Sequence, residues 1–222
     1  EKPGEKSTVT ADVMVAKDRE EVPLCEPFTM MGAVEHWLND LTGAMQKTLR
    51  FEMAKAVEGA VTGWDAATGG DRPRHKWLFD YAAQVVLTTT QHFWTEETQM
   101  ALDQLECGEN EEAVKEYLKL CLDRLGELIV LTRGDLSKAD RCKIIALITL
   151  DVHARDVTDR LVVQRAGGPL SFMWQQQPRF YCQGPGVTIN ITDFSTDYSF
   201  EYIGNTGRLV ITPLTDRCYI TL

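Results

Sequence analysis

Asp151, His153 and Asp156 in the stretch DVHARD are the densest set of side chains able to ligate a metal or move a proton. On a helix, His153 and Asp156 stand three apart and share a face, whereas Asp151 and His153 stand two apart and do not. Zinc chemistry needs further ligands in fixed geometry. The spacing therefore favours a polar helix face shared with Arg155 and Arg160 over a metal centre, and no metal is expected. His36, His75 and His92 are isolated, no cysteine neighbours a histidine, and there is no GxSxG elbow. The run Thr88-Thr89-Thr90 can hydrogen-bond back along its own helix and is given no catalytic role. A phosphate loop of the form GxxxxGK(S/T) is absent, since no Gly-Lys pair occurs anywhere. The chain by itself is expected to catalyse nothing and to hold no cofactor.

The remaining composition bounds the partners. The chain has 222 residues, 44% hydrophobic and 25% charged, with a formal net charge of -10. That length can bury a substantial core. The acidic balance argues against nucleic acid, whose affinity comes from Lys and Arg on phosphate. No apolar run approaches the roughly 20 residues of a membrane helix. Cys25, Cys107, Cys121, Cys142, Cys182 and Cys218 form no CxxC pair. Cys121 and Cys142 fall within helical patterns, where a small buried hydrophobe is expected, and the set implies a reducing compartment. The sequon Asn190-Ile191-Thr192 is without consequence there.

The elements that would position these residues read as follows. Residues 1–31 are an extended, hairpin-like lead-in: Val9, Val13 and Val15 approach alternation, Lys17–Glu20 can turn the chain toward Val22 and Leu24, and Pro23 and Pro27 exclude a helix. Residues 32–168 read as a helical body. Its first helix carries Val34, Trp37, Leu38, Leu41, Met45, Leu49, Met53 and Val57 on one face and fades at Gly59. Residues 59–75, rich in glycine, are expected to be a surface loop. A second helical region over 76–105 should break near Thr95, which resembles an N-cap followed by Glu96 and Glu97. Asn110 caps a third helix ending at Arg133-Gly134. Ser137 and Asp140 form a capping box opening a fourth, whose run Ile144–Ile148 is apolar all round and so should be buried.

After Pro169 the period changes to two. Phe172 and Trp174, then Val187, Ile189 and Ile191, then Tyr198, Phe200 and Tyr202 read as strands over 169–203. Residues 204–222 carry a Gly-Asn-Thr-Gly turn, the apolar run Leu209–Ile211, a turn at Pro213–Asp216 and a second apolar run, read as further strands. The chain stops inside the last of these, which suggests a piece of a longer polypeptide. The fold expected is mainly α: an elongated helical bundle followed by a small β-rich C-terminal element.

The stretches VEHWLNDLTGAMQKTLR, WLFDYAAQVVLTTTQHFWTEE, LSKADRCKIIALITLDVHARDV and EYIGNTGRLVITPLTDRCYITL occur in this order and cover most of residues 34–222. Together they resemble the dynein heavy chain, in wording closer to the ciliary than the cytoplasmic members. The resemblance departs in loops: 59–75 is long, Gly207 stands where proline is common, and Gln183–Gly186 is short. It implies the C-terminal part of the linker, a helical rod arching over a ring of six AAA+ modules, running into the first strands of the first module over 204–222. It implies a microtubule motor of the ciliary or flagellar axoneme, with ATP and magnesium held by the parent chain and the AAA+ ring, microtubules and dynein intermediate and light chains as partners. By matching position, Val210, Ile211, Pro213 and Leu214 would line the adenine side of the first ATP site. Gly204 and Gly207 are the expected hinge between rod and ring. Beside this stand two other readings: a free-standing helical scaffold, and a metal-dependent hydrolase at Asp151 and His153. A GxxxxGK(S/T) loop within about one further strand of Leu222 would separate the first two.

Overall fold

A computed structural model describes residues 9–63, 73–205 and 210–221. The chain is mainly α with a β-rich C-terminal element. It opens with an antiparallel hairpin, β1 (Val9–Val15) and β2 (Glu21–Met30), whose register shifts at a bulge between Ala11 and Val13. The hairpin buries Met14, Val22 and Leu24. Val9, Val13 and Val15 point outward instead, because the bulge and pleat assign Met14 to the covered face.

Helix α1 spans Val34–Gly63 and does not fade at Gly59. Its buried stripe is Leu49, Met53, Ala56, Ala60 and Gly63, while Val34 and Leu38 are exposed. Small residues occupy the distal part of this stripe because Trp77 and Tyr81 lie across it. A Cβ on Gly59 would stand 2.8 Å from the Tyr81 hydroxyl, and the Trp77 indole N–H donates to Ala56 O at 3.1 Å. Glycine here is a packing choice, which overrides its cost of about 1 kcal/mol in a helix interior. Of the expected 59–75 loop, residues 64–72 lie outside the described residues; α2 (Arg74–Trp77) already begins within the rest.

Helix α3 runs unbroken from Ala83 to Glu106. The break expected at Thr95 does not occur, because Thr95 is wholly buried mid-helix: its hydroxyl donates to Gln91 O at 2.8 Å and accepts the Phe180 N–H at 3.0 Å. Helices α4 (Ala113–Thr132) and α5 (Lys138–Val163) pack as an antiparallel pair. Ser137 caps α5 by accepting the Asp140 N–H at 3.1 Å. Ile144, Ala146 and Leu147 are buried, but Ile145 is exposed and so is Cys142, since this helix lies at the edge of the body and keeps an outer face.

Phe172 and Trp174 lie in a short helix, α6 (Phe172–Gln175), not a strand; Trp174 is drawn into the core edge-on to Trp94 at 5.2 Å. The sheet proper is β3 (Arg179–Gln183), β4 (Gly186–Ile191) and β5 (Phe194–Asp197), all antiparallel. Residues 198–203 alternate in burial as a strand would but belong to no ladder: the Tyr198 N–H still reaches Val187 O at 2.8 Å, while Glu201 O and the Ile203 N–H are taken by the Gln84 side chain of the helical body.

The last element is also corrected. Pro213–Thr221 is a helix, α7, where strands were expected. Proline at a first helical position has no N–H to leave unpaired. Thr212 and Thr215 then cap reciprocally: the Thr215 N–H donates to Thr212 Oγ1 at 3.4 Å and the Thr212 N–H to Thr215 Oγ1 at 3.2 Å.

Two cores result. One gathers the hairpin, α1, the starts of α3 and α5, and the sheet around Leu49, Trp77, Leu78, Val86 and Ile144. The other joins the later turns of α3 and α5 to α4 and α6 around Leu102, Leu161 and Trp174. Each such large buried side chain contributes about 1.5–3 kcal/mol, so the helical body is held by apolar packing along its length.

Candidate functional site

The residues singled out at the C-terminus occupy different environments. Gly204 is buried at φ +63°, and a Cβ there would lie 2.3 Å from the Ala16 methyl and 3.0 Å from Asp18 Oδ1. Glycine is therefore required at this position both by backbone and by contact with the β1–β2 turn. Gly207 lies outside the described residues. Val210 and Leu214 are 68% and 71% exposed, and Ile211 is half-buried. Pro213 is the first residue of α7. The neck of α7 thus presents apolar side chains at the surface rather than packing them inward.

Upstream of Gly204 the chain is fastened. Gln84, buried at the start of α3, donates its amide to the Tyr198 hydroxyl and to Glu201 O, each at 2.7 Å, and accepts the Ile203 N–H at 3.1 Å. Glu20 of the hairpin turn accepts the Ala83 N–H at 2.7 Å, supplying the cap that Ala82 cannot, and accepts the Tyr202 hydroxyl at 3.3 Å. Burial, aided by Glu20, raises the Tyr202 pKa, so the phenol stays a donor. Phe200 is 2% exposed beneath the Arg50 guanidinium, 4.4 Å from ring centre to cation. These contacts were not foreseen. The available signal was Gln84 itself, an amide inside the apolar run Ala82–Leu87, where a buried polar group must find partners.

Asp151 and Asp156 of the metal-like set take separate partners. Asp151 is buried and accepts from both terminal nitrogens of Arg74, at 2.9 and 3.1 Å. Asp156 pairs with Arg155 at 2.5–2.9 Å, and its carbonyl accepts from Arg160 at 3.3 Å. The cavity beside Asp151 is about 20 Å³, room for a water and not for a substrate. Among the described residues no group of three or more His, Cys, Asp or Glu is placed to hold a metal ion. His92 is buried, its Nδ1 3.3 Å from Phe180 O and 3.4 Å from Cys182 N, and so ties α3 to β3. Among the described residues no helix is long and apolar enough to cross a membrane.

Residues 198–222 match the family described as the hydrolytic ATP binding site of the dynein motor region. That match begins at Tyr198, within the fastened stretch, so the helical body grips the first residues of the matched segment. The chain is 45% identical over 217 residues to dynein axonemal heavy chain 9 of Homo sapiens, covering 97% of this chain and 5% of that protein. It is 42% identical over 211 residues to the ciliary dynein beta chain of Tripneustes gratilla, covering 94% and 4%. It is 39% identical over 217 residues to the flagellar outer arm dynein beta chain of Chlamydomonas reinhardtii, covering 97% and 4%. Fold and match define a helical body leading into a segment similar to the ATP-binding region of dynein motors. The chain belongs to the dynein heavy chain family, axonemal type, and localises with it to the cytoskeleton of cilia and flagella. It spans 4–5% of the length of these relatives.

Proposed function

We propose that this chain is the C-terminal part of the linker of a microtubule motor, carrying force between a ring of AAA+ modules and the rest of the heavy chain. The observation that supports this reading most is the grip of Gln84 and Glu20 on residues 198–203, within the segment similar to the ATP-binding region. A body held by continuous apolar cores, fastened to the first residues of a nucleotide site, can pass displacement along its length.

In this reading catalysis lies elsewhere in the parent chain. ATP with magnesium supplies the free energy, and the phosphate-binding loop would follow this segment. Val210, Ile211, Pro213 and Leu214 would take the adenine side. The exposure of Val210 and Leu214 suits this role, since apolar side chains left at the surface fit a flat purine face. Microtubules and dynein intermediate and light chains engage other parts of the parent. Gly204 and Gly207 form the hinge at which body and ring turn relative to each other.

The test is a heavy chain carrying Gly204→Val and Gly207→Val together. ATP turnover should persist while microtubule gliding slows severely. Normal gliding with normal turnover would overturn the hinge. Titration of the 222-residue chain with ATP should show only weak binding; affinity on the order of micromolar would contradict the placement of catalysis elsewhere.

A further inference from the structure

We propose that Phe200 is a strained plug, positioned by Gln84, that fixes where the ATP-binding segment leaves the helical body. Phe200 sits at φ +54°, a left-handed backbone that a bulky aromatic rarely adopts. Such strain persists only where surrounding contacts over-determine it, and it collects at ligand clamps and switch regions. Here the contacts are identifiable. The ring is 2% exposed, lies under Arg50, and meets Tyr198 edge-on at 5.0 Å with planes at 84°. Beneath it lies a small void of about 10 Å³ lined in part by Leu49, Met53 and Val85. The residues that flank Phe200 in sequence or by ring contact are held by one group: the Gln84 amide donates to Glu201 O and to the hydroxyl of Tyr198, whose ring meets Phe200.

The arrangement is a lock rather than ordinary strand packing. Among the described residues, 198–203 belong to no strand; after one backbone bond, from the Tyr198 N–H to Val187 O at 2.8 Å, side chains hold Glu201 O and the Ile203 N–H, where a ladder would otherwise do so. A ladder can slip by a pair of residues and re-form. A single aromatic in a single socket cannot, so the plug sets the register of everything downstream. The Gly204 contact with Ala16 adds a stop from the hairpin side. The lock itself stands on these contacts; its mechanical consequence rests on the linker reading above.

Hydrogen exchange on the full heavy chain, read by mass spectrometry over peptides covering 198–205, tests the lock. Gln84→Ala should raise exchange there about tenfold while the β3–β4 peptides stay protected. Gln84→Glu keeps the acceptor for the Ile203 N–H and loses both donors, so it should fall between the wild type and Gln84→Ala. Phe200→Leu, which refills the socket, should protect more than Phe200→Asn, which tolerates the backbone but leaves the socket empty. Unchanged exchange over 198–205, a uniform rise across all helices, or equal effects of Leu and Asn would each overturn the proposal. Gliding velocity and ATP turnover of the same Gln84→Ala motor form a separate arm. Opened exchange with unaltered gliding leaves the plug standing and counts against the linker reading.

Discussion

Arg74 and Asp151 form a two-pronged ion pair, at 2.9 and 3.1 Å, between side chains that are 7% and 10% exposed. It joins the short helix after α1 to the middle of α5 and lies where the two apolar cores meet. A buried charge stripped of its partner is expensive, by about 3–5 kcal/mol, whereas replacing both partners with apolar groups is often close to neutral. Asp151→Asn should therefore lower stability by roughly that amount, and Arg74→Met with Asp151→Leu should restore much of it. Chemical denaturation of the single and paired variants checks this; additive losses would show the pair is not coupled.

Thr95 provides a second prediction. It closes the contact between α3 and β3 by accepting the Phe180 N–H. Thr95→Val keeps the shape and removes the acceptor, leaving that amide buried and unpaired at a cost of about 1–3 kcal/mol. Far-ultraviolet circular dichroism should be unchanged, because the hydroxyl does not end the helix. A loss of helix signal would indicate that Thr95 holds a junction in α3.

Gly204→Ala should destabilise more than its single methyl suggests. The added Cβ meets the Ala16 methyl, which has no rotamer to escape into, on a backbone at φ +63°. The left-handed conformation alone costs an alanine about 1–2 kcal/mol. Ala16→Gly should recover the steric part and leave the backbone part, so thermal unfolding of the single and double variants separates the two.

The thiols set an alkaline limit. Burial pushes Cys121 up to about 11, against an opposing hydrogen bond from Tyr117, and burial with the nearby Glu96 pushes Cys182 up to about 12. Both hold their protons more tightly folded than unfolded. Their contribution is complete below the unfolded thiol pKa of about 8.5 and is lost as pH rises through the folded values. The denaturation midpoint should thus fall between about pH 9 and 11, and Cys121→Ala with Cys182→Ala should flatten that slope. An equal slope in both proteins would contradict it.

Much of this fold could be read from periodicity, and the errors share a cause. The N-cap at Ser137, the end of α4 at Arg133-Gly134 and the alternating strand through Val187, Ile189 and Ile191 follow local rules and appear as expected. Gly59, Thr95 and Phe172 were misread because local signals for a break or a strand were outweighed by tertiary partners: Trp77 and Tyr81 on Gly59, Phe180 on Thr95, and the core of α3 to α5 on α6. At Pro213 the error was different. Pro-Leu-Thr-Asp reads equally as a turn or a first helical turn, and the reciprocal Thr212–Thr215 cap decides for the helix. Gln84 signalled that a buried amide needed partners, but which partners could not be read, since the grip joins Gln84 and Glu20 to residues more than a hundred positions away.

The most direct measurement uses an exposed thiol on the body. Cys142 lies on the outer face of α5 and accepts a fluorophore without entering either core. With a second probe on the ATP-hydrolysing module of the heavy chain, energy transfer between the two reports their separation. A transfer efficiency that steps between nucleotide-free and ATP-bound motor, and is lost when Gly204 and Gly207 are both valine, is the predicted result. A constant efficiency in a motor that still hydrolyses ATP and glides would contradict the account.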